Sequence, residues 1–221
     1  MNIAIVGFGK IGQAIAKLAQ PKHKICLTVD SPKDMENLDP AILSKIDVFF
    51  EFTSPEAAAS NILSIIKAKN DAKIVCGTTG WDVNSVKSAI ERSEAILLVS
   101  SNFSVGINVI KPCLKGLANE LSDKGFSASM SDLHHQHKKD APSGTAKTLA
   151  ELIESAGMKC PIKSYREGEY VGTHTIRFES EYEVIEIRHE AKNRDVFCMG
   201  AIHKAEWLNE QPSSSGKVLK C

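Results

Sequence analysis

Positions 134 to 145 read His134-His135-Gln136-His137-Lys138-Lys139-Asp140-Ala141-Pro142-Ser143-Gly144-Thr145, so imidazoles and ammonium groups crowd ahead of a proline and small residues that introduce a helix. The helix shows its apolar stripe at Ala146, Leu149, Ala150, Leu152 and Ile153. Backbone N–H groups at 143–145 lack helical carbonyl partners, and beside cationic side chains they form an anion site that needs no phosphate-loop sequence. The expected ligand is a carboxylate. Three uses of the histidines stand open at this point. They can be exposed or satisfied residues without a chemical role. His135 and His137 can share a strand face and bind zinc, although no third ligand follows at a recognisable spacing. Or the cluster performs catalysis on an anionic substrate.

A second constellation opens the chain. Gly7-Phe8-Gly9-Lys10-Ile11-Gly12 is G-x-G-x-x-G, placed after the β-branched run Ile3–Val6 and ahead of helically spaced Ile11, Ile15 and Leu18. Such glycines permit a tight turn, close backbone approach to a pyrophosphate and close helix–sheet packing, while the helix N-terminus offers N–H groups and positive dipole. Asp30 ends the next predicted strand, where a carboxylate can accept from ribose hydroxyls. Ser31 and Pro32 follow it where an Arg would accommodate a 2′-phosphate, and the cations that could serve one instead are Lys10 and Lys33. NADH, NADPH or both are the expected cofactors, with NADH used at least as well. Gly77-Thr78-Thr79 and Ser100-Ser101-Asn102-Phe103 lie at carboxyl ends of further predicted strands, the edge where open α/β sheets take ligands, and are expected to line the nicotinamide half.

The elements that must position these groups come in two styles. Through residue 104, strands at 24–30, 47–53, 72–76 and 95–100 alternate with helices at 54–69 and 82–92, which predicts a parallel, doubly wound α/β domain. Val48, Phe49, Phe50 and Phe52 leave the third strand almost no polar side, as a strand covered on both faces requires. A helix over 105–121 carries Pro112, where a kink or break is expected. Beyond Gly125, strands at 126–133, 173–178 and 183–189 predict an α+β, mixed-sheet domain over 105–204. A helix at 196–208 follows, and the segment 205–221 is either loose or returns to the first domain.

Bulk properties narrow the partners. Acidic and basic residues balance at 27 each, which argues against nucleic acid, and the six cysteines are scattered without a C-x-x-C pair. No basic n-region precedes the short apolar start and no run approaches a bilayer span, so a cytoplasmic protein without a membrane partner is expected.

The His-rich segment, continued to Ala146, resembles the dihydrodipicolinate reductase family. The likeness extends to Gly7–Gly12, Phe52-Thr53-Ser54-Pro55-Glu56, Gly77-Thr78-Thr79-Gly80, Asn102-Phe103-Ser104-Val105-Gly106-Ile107-Asn108, Arg166-Glu167-Gly168 and Val171-Gly172-Thr173-His174-Thr175. The resemblance implies NAD(P)H-dependent reduction of 4-hydroxy-tetrahydrodipicolinate in lysine and diaminopimelate biosynthesis, a Rossmann domain followed by a mixed-sheet domain, and a homotetramer built through that sheet. It implies His134 and Lys138 as the proton-donating pair, and His135, Lys138, Ser143, Gly144 and Thr145 around a small dicarboxylate substrate, with no metal. It also carries over Gly7 to Gly12, Asp30, Gly77 to Thr79 and Ser100 to Phe103 as cofactor contacts. The spacing of four between His134 and Lys138 would place both on one side of a strand or a helical turn. The rival readings are another Rossmann reductase of a small amino or keto acid, a dinucleotide sensor without chemistry, and a metal-dependent hydrolase. Retention of His134 and Lys138 disfavours the sensor, because binding a nucleotide needs neither.

Overall fold

The computed structural model describes residues 1–30, 39–212 and 216–220. Residues 31–38, among them Ser31, Pro32 and Lys33, residues 213–215 and Cys221 lie outside the described residues. The chain divides into two compact units, Met1–Phe103 with Phe197–Cys221, and Ser104–Val196.

In the first unit, β1 (Asn2–Val6), α1 (Lys10–Ala19), β2 (Lys24–Val29), α2 (Pro40–Leu43), β3 (Val48–Glu51), α3 (Pro55–Ala68), β4 (Lys73–Cys76), α4 (Asn84–Glu91) and β5 (Ile96–Val99) follow in order. The strands form a six-stranded sheet, β10-β5-β4-β3-β1-β2, with β10 at Lys217–Lys220 and every pairing parallel. Alternate side chains serve opposite faces. Ala4, Val6, Phe49, Ile74 and Leu97 pack with Ile62 and Ile65 of α3 and Val86 and Ile90 of α4. Ile3, Ile5, Phe50, Val75 and Leu98 pack with Ile15 of α1 and with Ala201, Ala205 and Leu208, which belong to the helix α7 described below. Both faces are therefore dry, which is why these strands read as continuous apolar runs.

The second unit contains α5 (Val105–Leu121), β6 (Ser127–His134), α6 (Gly144–Glu154), β7 (Ile162–Arg166), β8 (Gly172–Glu179), β9 (Val184–Ala191) and the first residues of α7 (Asp195–Glu210). The four strands order as β7-β6-β8-β9, with β6 and β7 parallel and the other two pairings antiparallel. The domain boundary expected at 204 falls inside α7, which passes into the first unit at Phe197. There is no break at Pro112: α5 runs through it, because Ile107, Leu114, Ala118 and Leu121 keep the stripe buried while the proline sits on the exposed side, where water compensates for its missing N–H.

Cross-strand rows give the second sheet its gradient. Ile162, Met130, Ile176 and Ile187 oppose one another in one row, and Ala128, Phe178 and Ile185 in another, all packed under α5 and α6. One step toward the carboxyl end of β6 the same inward face carries Ser164, Asp132, His174 and His189 in register. An apolar floor thus gives way to a buried polar row.

Candidate active site

In the first unit, the fingerprint turn is shaped by what a side chain would strike. Gly7 has φ of +94°, and a Cβ there would lie 2.2 Å from the carbonyl oxygen of Phe52. A Cβ at Gly12 would meet the Gly7 carbonyl oxygen at 2.1 Å, so only glycine lets α1 approach β1 this closely. At Gly9, the N-cap of α1, a Cβ would meet nothing within 4 Å. Gly9 instead lines a cleft of about 360 Å³ with Gly7, Asp30, Phe52, Thr53 and Asn61. The Asp30 carboxylate accepts from the Phe8 N–H at 3.0 Å, which fixes an acid on the rim of that cleft.

A neighbouring hollow of about 240 Å³ is lined by Ile11, Phe52, Thr53, Gly77, Thr78 and Thr79. Lys10 is exposed at the start of α1. Ser100 and Phe103 are buried instead, Ser100 bonded to Asn102 and the Phe103 ring 5.9 Å from Phe52, and neither lines these two clefts. Ser101 is exposed. The glycine turn, the open Gly9 and the acid on the rim together fit a dinucleotide.

Beneath the cleft sits a carboxylate that sequence reasoning missed. Glu51, at the end of β3, is fully buried and accepts from the Thr53 hydroxyl, from Asn61 Nδ2 at 3.4 Å and from the Cys76 thiol at 3.1 Å. Burial first, and Glu51 second, push that thiol far above its ordinary range, so Cys76 stays a neutral donor. The Thr53 N–H donates to Thr78 Oγ1 at 2.9 Å, tying the two lining loops together.

In the second unit, Asp132 is the centre. Its carboxylate is fully buried. Oδ2 accepts from the Ser143 N–H at 3.0 Å, Ser164 Oγ at 3.3 Å and Arg166 Nη2 at 2.9 Å. Oδ1 accepts from Ser143 Oγ at 2.8 Å and lies 3.0 Å from His134 Nδ1 and 3.4 Å from His174 Nε2. Burial alone would raise this carboxyl, but His134, His174 and Ser143 outweigh it and hold Asp132 far below the usual carboxylate range. Among the described residues Asp132, His134 and His174 also form a group with ligand atoms within 4.8 Å, yet both oxygens of Asp132 are already spent on serine, arginine and backbone donors. His135 and His137 have rings 6.3 Å apart.

His134 ends β6, is 7% exposed, and packs edge-on against His174 with ring centroids 5.3 Å apart. His189 continues the row 6.3 Å beyond, hydrogen-bonded to Ser104 Oγ at 3.0 Å, and burial, then His174, lower its affinity for a proton. Lys138 follows in a turn, its N–H donating to the His135 carbonyl. The segment is therefore neither strand nor helix after His134, and no regular period places Lys138 on the side of His134. Its ammonium sits 2.7 Å from Asp140, whose carboxyl it holds below the ordinary value. Ser143 caps α6, accepting from the Ala146 N–H, and gives both its own N–H and its hydroxyl to Asp132. It is thus not an open donor as expected, and the exposed first-turn residue is Gly144, with Thr145 half-buried beside it. Asp132 could have been found from the alternation of β6, where Ala128, Met130, Asp132 and His134 share the buried face.

Comparison with known proteins gives a consistent picture. The model of "Dihydrodipicolinate reductase, N-terminus" matches residues 1–103, and that of "Dihydrodipicolinate reductase, C-terminus" matches residues 106–219. The 4-hydroxy-tetrahydrodipicolinate reductase of Christiangramia forsetii is 36% identical, covering 96% of this chain and 93% of its own. That of Bdellovibrio bacteriovorus is also 36% identical, over 96% of this chain and 91% of its own. Among solved structures, dipicolinate-bound dihydrodipicolinate reductase from Paenisporosarcina sp. TG-14 aligns with a TM-score of 0.76 at 20% identity, over 100% of this chain and 97% of that one. A probable dehydrogenase from Thermotoga maritima aligns at 0.57 and 12% identity, over 98% of this chain and 91% of its own, a likeness of fold alone.

One close approach here can be tested directly. A Cβ at Gly172 would lie 2.9 Å from His134 Nε2. Gly172→Ala is expected to shift the ring resonances of His134 and His174 in NMR spectra while the second sheet stays folded. Unmoved His134 signals would contradict the packing.

Proposed function

The chain belongs to the dihydrodipicolinate reductase family, and from that premise we propose how its two units divide the labour of one reduction. The protein is an NAD(P)H-dependent oxidoreductase that reduces 4-hydroxy-tetrahydrodipicolinate in lysine and diaminopimelate biosynthesis. The observation that carries the division is the Asp132 cluster, which puts the imidazole of His134 and the start of α6 on one buried carboxylate.

In this reading the Gly7–Gly12 turn and the N-terminus of α1 hold the pyrophosphate, Asp30 accepts from the ribose hydroxyls, and Gly77, Thr78 and Thr79 line the nicotinamide half. Reduced nicotinamide, when bound, supplies a hydride. His135, Gly144 and Thr145 bind a substrate carboxylate, with Lys138 as a nearby positive charge that Asp140 steadies. His134 Nε2 delivers a proton as negative charge builds on the ring, and such a donor typically contributes about 10²–10⁴-fold in rate. Lys138 assists as the second member of the pair.

An assay following NADH or NADPH oxidation with enzymatically generated 4-hydroxy-tetrahydrodipicolinate tests substrate and cofactor together. Asp30 on the cleft rim repels a 2′-phosphate, so NADH is expected to serve at least as well as NADPH; NADPH binding about a hundredfold tighter, roughly 2.7 kcal/mol, would contradict this role for Asp30. His134→Gln is expected to lower turnover about 10²-fold or more with little loss of NADH binding, whereas Lys138→Ala harms both turnover and substrate affinity. Near-normal turnover of the double variant at saturating substrate would sink the pair as acid.

A homotetramer assembled through the outward face of the second sheet completes the reading. Tyr165 and Val184 stand exposed there, 40% and 45%, beside a groove of about 410 Å³ lined by Lys163, Thr175 and Arg177. Sedimentation of a monomer at assay concentration would rule that assembly out.

A further inference from the structure

Asp132 meets neither cofactor nor substrate in the proposed reduction, yet its carboxylate meets side chains from four segments: β6, β7, β8 and the turn before α6. Neutralising a buried carboxylate calls for one cation, and Arg166 supplies it at 2.9 Å. The two imidazoles on Oδ1 go beyond that need. His134 Nδ1 is buried, and Asp132 Oδ1 lies 3.0 Å from it, off the axis of a straight bond. A neutral imidazole protonated at Nδ1 satisfies that oxygen; one protonated only at Nε2 would set a lone pair against it. The opposite ring nitrogen, Nε2, faces the space left by the missing side chain of Gly172. The same carboxylate binds Ser143 twice, through its N–H and its hydroxyl, and Ser143 begins α6.

We propose that Asp132 is a positioning residue for proton transfer: it keeps His134 in the Nδ1–H form, so that Nε2 releases and regains the proton, and through Ser143 it locks that donor to the Gly144–Thr145 turn. The proposal rests on the reading of His134 as the acid. Proton balance is simple. Imidazolium carries protons on both nitrogens, gives the one on Nε2 to the substrate, and is left as the Nδ1–H tautomer, whose proton lies on the side of Asp132 Oδ1, 3.0 Å from Nδ1. Water returns the proton to Nε2.

The test uses the full-length enzyme with NADH and 4-hydroxy-tetrahydrodipicolinate, and long-range ¹⁵N NMR of the imidazoles at about pH 8, where an ordinary imidazole is neutral. Asp132→Asn is expected to lower kcat about 10²-fold or more, leave the NADH Kd unchanged, and move neutral His134 from the Nδ1–H to the Nε2–H pattern. Ser143→Ala removes the hydroxyl link, and with it the 3.3 Å contact of Ser143 Oγ with His174 Nε2, but spares the approach of His134 to Asp132, so it should keep the Nδ1–H pattern of His134 and raise KM about tenfold with kcat within about threefold. That variant decides the matter if Asp132→Asn does not fold: a fall in kcat with unchanged KM overturns the coupling. Persistence of the Nδ1–H pattern in Asp132→Asn, or a kcat within about threefold of the parent while His134→Gln is crippled, overturns the role of Asp132 alone. Near-normal turnover of His134→Gln overturns the acid assignment first, and this proposal with it.

Discussion

A carboxylate removed from water must be met by donors on every side, and the second unit is arranged around that demand at Asp132. An unmet buried carboxylate would cost several kcal/mol and take up a proton instead. Here Ser143, Ser164, Arg166 and two imidazoles converge on it from four segments of the chain. Because these groups come from three of the four strands and a helix start, satisfying one charge ties the polar ends of β6, β7 and β8 together. The apolar rows under α5 and α6 supply the stability against which this polar end is held.

The first unit meets an analogous constraint with close approach rather than charge. Its sheet is covered on both faces, so ligand access is confined to the carboxyl ends of the strands, where Gly7 and Gly12 bring backbone against backbone. Glu51 lies under that edge and accepts from a hydroxyl, an amide and a neutral thiol. Its network fixes Thr53, and through Thr53 the Thr78 loop, so the lining of the clefts is braced from below.

Much of this was readable in the residues. Strands buried on both faces announce themselves as continuous apolar runs, and the fingerprint announces itself by glycine spacing, so the doubly wound sheet and its cleft follow from local signals. The misses share a physical cause. β7 is a five-residue edge strand, Ile162-Lys163-Ser164-Tyr165-Arg166, and β10 is Lys217-Val218-Leu219-Lys220; each is too short and too charged to show a pattern without its neighbour. Asp132 and His174 face each other only once β6 and β8 are paired in register, which no single segment encodes. Pro112 misled because its effect depends on which side of α5 faces water. Ser143 misled because a helix start offers free donors only when nothing buried claims them first.

Membership in the dihydrodipicolinate reductase family says what reaction is carried out; how this chain holds its substrate is the proposal built on the arrangement around Asp132. The most direct measurement is a titration of dipicolinate, a stable dicarboxylate, followed through the backbone amides by NMR. The account predicts that the largest shifts fall on Gly144 and Thr145, with His134, His135 and Lys138 moving in step and the Gly7–Gly12 turn little changed. Shifts confined to the glycine turn, with residues 134–145 still, would contradict it.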